Sequence, residues 1–181
     1  MRKINEIFYS LQGEGYHTGK PSVFIRFSGC NLKCDFCDTQ HNDGNLMSDE
    51  EIIDYIAQFP TDNIILTGGE PSLWIDDIII DKLHKAGKYI CIETNGTNNL
   101  PDGIDWITCS PKEGAILKLE KANELKVVFQ NQDLTKYDSF EASHFFLQPC
   151  SCQNTQEVVD YILKNPKWRL SLQTHKLIDI I

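Results

Sequence analysis

A chain of 181 residues with 41% hydrophobic residues and a formal charge of −9 has the length for one domain with a sizeable core. The acidic balance argues against a nucleic-acid-binding module, which needs a basic footprint. Apolar runs such as Ile78-Ile79-Ile80 are far too short to span a bilayer.

In chain order, residues 4–9 read as an edge strand. Residues 23–27, apolar with β-branched and aromatic members and bounded by Pro21 and Gly29, read as the first core strand. Ser48-Asp49-Glu50-Glu51 is a capping box. Ile52, Ile53, Ile56 and Phe59 follow at helical spacing, and Pro60 stops the helix. Residues 63–67 predict a strand, and residues 76–86 a helix ended by Gly87. Strands are expected at 88–93, 104–109, 124–129, 144–147 and 168–172. A short helix is expected at 134–140, and a longer one at 155–164 capped by Asn154 with Glu157 three residues on. Strands outnumber long helices about two to one in βα-like order, and a full eight-fold barrel needs about 250 residues. The expectation is an α/β fold: an open, incomplete (β/α) barrel, one domain over residues 1–181. Its site should lie at the C-terminal ends of the strands.

Cys30, Cys34 and Cys37 have the spacing C-x3-C-x2-C, with no fourth cysteine nearby. A structural zinc site closes on four ligands, and most iron–sulfur clusters are also held by four. Three thiolates around a four-iron cluster leave one iron open. His41 offers the alternative of a Cys3His zinc site. The odd total of seven cysteines, and a start at Met1-Arg2-Lys3 with no long apolar stretch after it, argue against a secreted disulfide framework. They point to a cytoplasmic chain whose thiols stay reduced.

Thr67-Gly68-Gly69-Glu70-Pro71 follows a predicted strand. The glycines let a ligand approach the backbone, whose carbonyls could meet an ammonium, with Glu70 adding negative charge; a plain turn has the same composition. Gln12-Gly13-Glu14-Gly15 is either a recognition loop, with an amide and a carboxylate for a donor and acceptor edge, or a solvated Gly-rich loop. Arg26 lies among Phe24, Ile25 and Phe27; it is either on an exposed face or paired with an anion, because an unpaired buried guanidinium is costly. Cys91 and Cys109 fall in strands and read as core. The pair Cys150 and Cys152 has no assignment.

The cysteine spacing followed by Gly-Gly-Glu-Pro resembles the radical S-adenosylmethionine (radical SAM) enzymes. A wider set is similar to the 7-carboxy-7-deazaguanine synthase family. It comprises Ser10-Leu11-Gln12-Gly13-Glu14-Gly15, Arg26, Cys37-Asp38-Thr39, Thr67-Gly68-Gly69-Glu70-Pro71, Glu93-Thr94-Asn95-Gly96-Thr97, Ser110-Pro111-Lys112, Leu147-Gln148-Pro149 and Ser171-Leu172-Gln173-Thr174-His175-Lys176. The resemblance implies radical-mediated ring contraction of 6-carboxy-5,6,7,8-tetrahydropterin to 7-carboxy-7-deazaguanine, with loss of ammonia. It implies a [4Fe–4S] cluster on Cys30, Cys34 and Cys37, and Mg²⁺ at Thr39. The substrate would be held by Leu11, Gln12, Gly13, Glu14, Arg26, Thr67, His175 and the terminal carboxylate of Ile181, with Glu14, Arg26 and His175 catalytic. S-adenosylmethionine would be met by Phe36, Cys37 and Asp38, by Gly69 and Glu70, by Ser110, Pro111 and Lys112, and by Gln148, Pro149, Cys150 and Ser151. A homodimer and a reducing partner such as flavodoxin or ferredoxin are also implied. The chain departs from the family at its end, Leu177-Ile178-Asp179-Ile180-Ile181, where members often carry a Gly-containing tail with a terminal proline. A glycyl-radical-enzyme activase shares the cysteine spacing and is the nearest other enzyme class.

Overall fold

The computed structural model describes residues 1–37 and 39–180. Among these described residues nine strands form one open sheet: β1 (Arg2–Leu11), β2 (Pro21–Phe27), β3 (Asn45–Met47), β4 (Asn63–Gly68), β5 (Tyr89–Thr94), β6 (Trp106–Cys109), β7 (Lys121–Phe129), β8 (Glu141–Pro149) and β9 (Arg169–Leu170). Their spatial order is β3-β1-β2-β4-β5-β6-β7-β8-β9. β1 runs antiparallel to β2 and β3, and β2 and β4 to β9 pair in parallel with their neighbours. The sheet does not close, as expected of an incomplete barrel.

Helices α1 (Asp49–Ile56), α2 (Asp77–Lys85) and α3 (Thr155–Lys164) cover the outer face. Side chains alternate between the faces of a strand. One set therefore packs outward: Val23, Ile25, Phe27, Ile64, Leu66, Ile90 and Ile92 meet Ile52 and Ile56 of α1 and Ile79, Ile80 and Leu83 of α2. Further along, Leu125, Val127, Phe129 and Leu147 meet Val158 of α3. Each such buried aliphatic side chain contributes about 1.5–3 kcal/mol. Arg2 ties β1 to both helices by pairing with Asp49 at 2.8 Å and Asp76 at 2.7 Å. Among the described residues no helix is long and apolar enough to cross a membrane.

The other strand face carries Arg26, Thr67, Glu93, Glu124, Lys126 and Gln148, and the 12–20 loop lies over it. The loop neck is closed by Gln12 N–H to the Lys20 carbonyl at 2.9 Å and Gly19 N–H to the Gln12 carbonyl at 2.7 Å. Its tip reaches across to the far strands. Tyr16 stacks on Trp106 of β6 and His144 of β8, and its N–H donates to Glu124 of β7 at 3.0 Å. Gly15 N–H donates to the Ser171 hydroxyl at 2.9 Å.

The capping box forms as read: Glu51 N–H donates to the Ser48 hydroxyl, and Ser48 N–H to the Glu51 carboxylate. Asn154 does not cap α3 with its side chain. That amide instead accepts from Cys150 N–H at 2.8 Å and donates to the Phe129 carbonyl at 2.9 Å, bridging two strand ends. Residues 134–140 hold a single 3₁₀ turn, Thr135–Tyr137, and the 168–172 strand shrinks to Arg169–Leu170. Strand β3 and the short helix α4 (Thr174–Leu177) were not expected from the pattern.

Candidate active site

The inner face opens into a cavity of about 790 Å³. One side is the loop after β2, which carries the three cysteines. Gly29 N–H donates to the His41 carbonyl at 2.6 Å, and Cys37 N–H to the Cys34 carbonyl at 3.1 Å. Asn31 anchors the loop through Thr97 at 2.8 Å and Asn95 at 3.0 Å. Cys30, Cys34, Cys37, Phe36 and Thr39 all line the cavity. Burial pushes the Cys34 thiol up, while Lys112 draws it back down and neighbouring Cys30, Cys37 and Asp35 add to the rise.

Three thiols on one loop, with no fourth cysteine beside them, are a donor set that a four-iron cluster with one open iron can take. Among the described residues no three or more His, Cys, Asp or Glu side chains converge as they would on one metal. In a cluster each thiolate binds its own iron, so the three need not meet at a point. The fit extends to the backbone. A Cβ at Gly69 would stand 2.0 Å from the Gly29 carbonyl oxygen and 3.0 Å from Cys30 N. Gly68 has φ +125° and would collide with Phe27 backbone. These two glycines let the loop after β4 lie directly against the cysteine loop.

Glu70 acts differently from the expectation that its charge faces a ligand. Its side chain is fully buried and is not part of the cavity wall. It accepts from Thr94 Oγ1 at 2.7 Å, Asn95 N–H at 2.7 Å and Ser72 N–H at 3.1 Å. Its carboxylate therefore fixes the turn after β5, which in turn holds Asn31. Pro111 is also off the wall. Ser110 and Lys112 are on it, with the Lys112 ammonium donating to the Ser110 carbonyl and hydroxyl at 2.9 and 2.8 Å. Burial pulls the Lys112 pKa down, and Lys126 adds to that effect. Gln148, Pro149, Cys150 and Ser151 line the cavity from the end of β8. Ser151 and Cys152 both have left-handed backbone angles, φ 47° and 60°.

The opposite side of the cavity joins the two ends of the chain. Leu11, Gln12, Gly13, Glu14, Arg26, Thr67 and His175 line it. Thr174 N–H and Oγ1 both donate to the Gly13 carbonyl at 2.9 Å. His175 packs where a Gly13 side chain would be: a Cβ there would lie 2.1 Å from His175 Nδ1. Arg26 pairs with Glu6 across the β1–β2 ladder at 2.7 Å and stacks over Phe8, so an anion from its own chain already meets it. Asp38 and Ile181 lie outside the described residues.

Glu14 and Glu93 face each other across Lys126, which donates to Glu14 Oε2 at 2.6 Å and to Glu93 Oε1 at 3.4 Å. Gln148 and Gln173 donate to Glu14 Oε1 at 3.1 and 2.9 Å. Gln12 donates to Glu93 Oε1 at 3.0 Å, and Thr67 to Glu93 Oε2 at 3.3 Å. Burial alone would raise the Glu14 carboxyl, but the Lys126 ammonium, with help from Gln173 and His175, holds it down at about 2. Lys126 had no motif to announce it. Its only sequence signal is a charged residue alternating with Leu125 and Val127, which reads equally as an exposed strand face.

The model of the radical SAM superfamily matches residues 24–129. The 7-carboxy-7-deazaguanine synthase of Bacteroides thetaiotaomicron is 68% identical over 180 residues, covering 99% of each chain. That of Bradyrhizobium diazoefficiens is 45% identical, covering 98% of each. The crystal structure of QueE from Escherichia coli superposes with a TM-score of 0.82 at 32% identity, covering 96% of this chain and 94% of that one. The chain belongs to the radical SAM superfamily and, within it, to the 7-carboxy-7-deazaguanine synthase family. This membership sets aside the zinc-module and activase readings.

Proposed function

We propose that this chain converts 6-carboxy-5,6,7,8-tetrahydropterin to 7-carboxy-7-deazaguanine by ring contraction with release of ammonia, the step that feeds queuosine-type 7-deazapurines. The observation that carries the reading is a cavity with two unlike sides. One bears three thiols and a Gly-Gly turn; the other bears carboxylates, amides and His175 from both chain ends. When bound, the [4Fe–4S] cluster and S-adenosylmethionine supply a carbon-centred radical for hydrogen abstraction; the chain binds, orients and excludes water.

In this reading Cys30, Cys34 and Cys37 hold the cluster. Gly69, Phe36, Ser110, Lys112 and the 148–151 turn border S-adenosylmethionine, with Glu70 and Pro111 shaping that border from behind. Thr39 offers an oxygen to Mg²⁺, a hard cation that keeps water or substrate oxygens as its other ligands. Gln12, Glu14 and Thr67 meet the heterocycle, and Arg26 and His175 stand beside it. Leu11 and Gly13 supply backbone and shape. A reductant such as flavodoxin or ferredoxin, a homodimeric assembly and a cytoplasmic location complete the proposal.

The test is anaerobic incubation of cluster-reconstituted protein with carboxytetrahydropterin, S-adenosylmethionine, Mg²⁺ and a reductant, read by product mass and ammonia. Product should accumulate over many turnovers per S-adenosylmethionine. Stoichiometric consumption without a deazaguanine product would overturn the reading. Thr39→Ala with an intact cluster spectrum and unchanged Mg²⁺ dependence would remove Thr39 from it.

A further inference from the structure

Lys126 is the best-buried charge in the cavity wall, with its side chain 5% exposed. A buried ammonium persists only with compensating partners, and here two carboxylates supply them. The arrangement is lopsided, with two carboxylates and one ammonium in direct contact. The Lys126 contacts occupy Glu14 Oε2 and Glu93 Oε1. Three amides fill further positions: Gln148 and Gln173 on Glu14 Oε1, and Gln12 on Glu93 Oε1. Among the described residues each Oε2 receives a single donor, Lys126 on Glu14 and Thr67 on Glu93. A carboxylate oxygen has room for two. The cavity therefore presents two acceptor oxygens that a ligand can still use.

The neighbouring charges make the role of Lys126 specific. Glu124 is two residues earlier on the same strand and is 2% exposed. It makes no ion pair with Lys126 among the described residues, and burial pushes its carboxyl up. Glu14, with the ammonium at 2.6 Å, is driven the opposite way. Lys112 and His175 also face this network. The Lys126 ammonium draws both carboxyls down, but only Glu14 is in direct contact with it.

We infer that Lys126 is a positioning residue that holds Glu14 and Glu93 as paired anionic acceptors, so that the cavity selects a heterocycle presenting several N–H donors on one edge. The 2-amino-4-oxo ring of a reduced pterin has such an edge. Replacing its 2-amino group by a carbonyl turns a donor into an acceptor and sets oxygen against oxygen. The inference rests on the proposed substrate class and adds the residue that enforces it. Lys126 touches the two carboxylates, not the reacting carbon.

The experiment measures binding of carboxytetrahydropterin and of its 2-oxo analogue to cluster-loaded protein without reductant, by calorimetry, across about pH 5.5 to 8.5. Wild type should bind the amino compound with a flat acid side and prefer it to the 2-oxo analogue. Lys126→Met should bind it about 10–100-fold more weakly, lose most of the preference, and weaken further as pH falls and a carboxylate takes up a proton. Lys126→Arg should recover the flat profile. Lys126→Met with wild-type affinity, preference and profile overturns the inference while leaving the proposed function intact. Wild type that binds neither compound overturns the substrate class itself. A variant that fails to fold does not end the test. Infrared spectra of ¹³C-glutamate-labelled wild type, assigned by subtraction of Glu14→Gln, should show Glu14 ionised throughout the range. A protonated Glu14 above about pH 5 overturns the inference.

Discussion

Gly13→Ala is a sharp test of how the two chain ends make the site. A Cβ at Gly13 would stand 2.1 Å from His175 Nδ1, 2.8 Å from Cγ and 2.9 Å from Cβ. Ordinary contact begins at 3.4 Å, so the ring nitrogen must retreat by about 1.3 Å. Rotating the imidazole relieves the first two clashes and not the third, because His175 Cβ is fixed by its backbone. The tail has to shift, and Thr174, bonded twice to the Gly13 carbonyl, shifts with it. The backbone angle of Gly13 is outside the left-handed region, so the effect is collision and not strain. Overpacking of this kind costs about 1–3 kcal/mol, which for a chain of this size lowers Tm by roughly 2–12 °C. Misplacing a substrate-side group by about 1 Å costs on the order of 10²-fold in rate. Anaerobic steady-state turnover should therefore show kcat/KM down about 100-fold with a normal cluster absorption spectrum. In a His175→Gly background, which removes all three colliding atoms, Gly13→Ala should add little. A Gly13→Ala enzyme within about two-fold of wild type would refute the reasoning.

Gly69→Ala should impair cluster retention, because its Cβ meets Gly29 and Cys30 backbone that cannot yield as a side chain can; full iron and sulfide content after reconstitution would count against this. In cluster-free protein near pH 8, iodoacetamide should modify Cys30, Cys34 and Cys37 while sparing Cys91 and Cys109, whose buried thiols are pushed up to about 12. Mass mapping that finds Cys91 or Cys109 labelled in folded protein would contradict that burial. Glu14 is held at about 2 against an ordinary 4.5, so its ionic stabilisation is complete above pH 4.5 and is lost as pH falls towards 2. The stability gap between wild type and Glu14→Gln in urea titrations should close over that window, and a gap that stays constant would remove the Lys126 pair as its source.

Much of the fold was legible because its signals are local. The Ser48–Glu51 box, the Gly87 stop after α2 and the β-branched runs of β2, β4 and β5 depend on neighbours within a few residues. The cysteine loop and the Gly-Gly turn were legible for the same reason. What escaped depends on distance along the chain. Lys126 meets Glu14 across 112 residues and Gln173 meets Glu14 across 159, and no spacing rule reaches that far. Alternation was also ambiguous: Glu124 and Lys126 look like a solvent face, yet they line the inside of an open barrel where the 12–20 loop covers them. Asn154 misled because a helix cap and a strand bridge ask for the same amide. Glu70 misled because a carboxylate beside two glycines suits a ligand as well as a turn.

The joining of residues 12–14 to residues 173–175 gives the site an order of construction. As the polypeptide emerges during synthesis, every residue of the cysteine loop and the Gly-Gly turn is present well before β7 is made. Glu14 exists from the outset but lacks its ammonium until Lys126 appears, and the Gly13 carbonyl lacks its two hydrogen-bond donors until Thr174 does. The cysteine loop and the Gly-Gly turn can be shaped early, while the side lined by Gln173 and His175 waits for the last stretch to be translated. A chain cut short after residue 170 would carry the whole thiol loop and none of Gln173, Thr174 or His175. Such a product would carry the three thiols without the Thr174–Gly13 hydrogen bonds that close the opposite wall of the cavity.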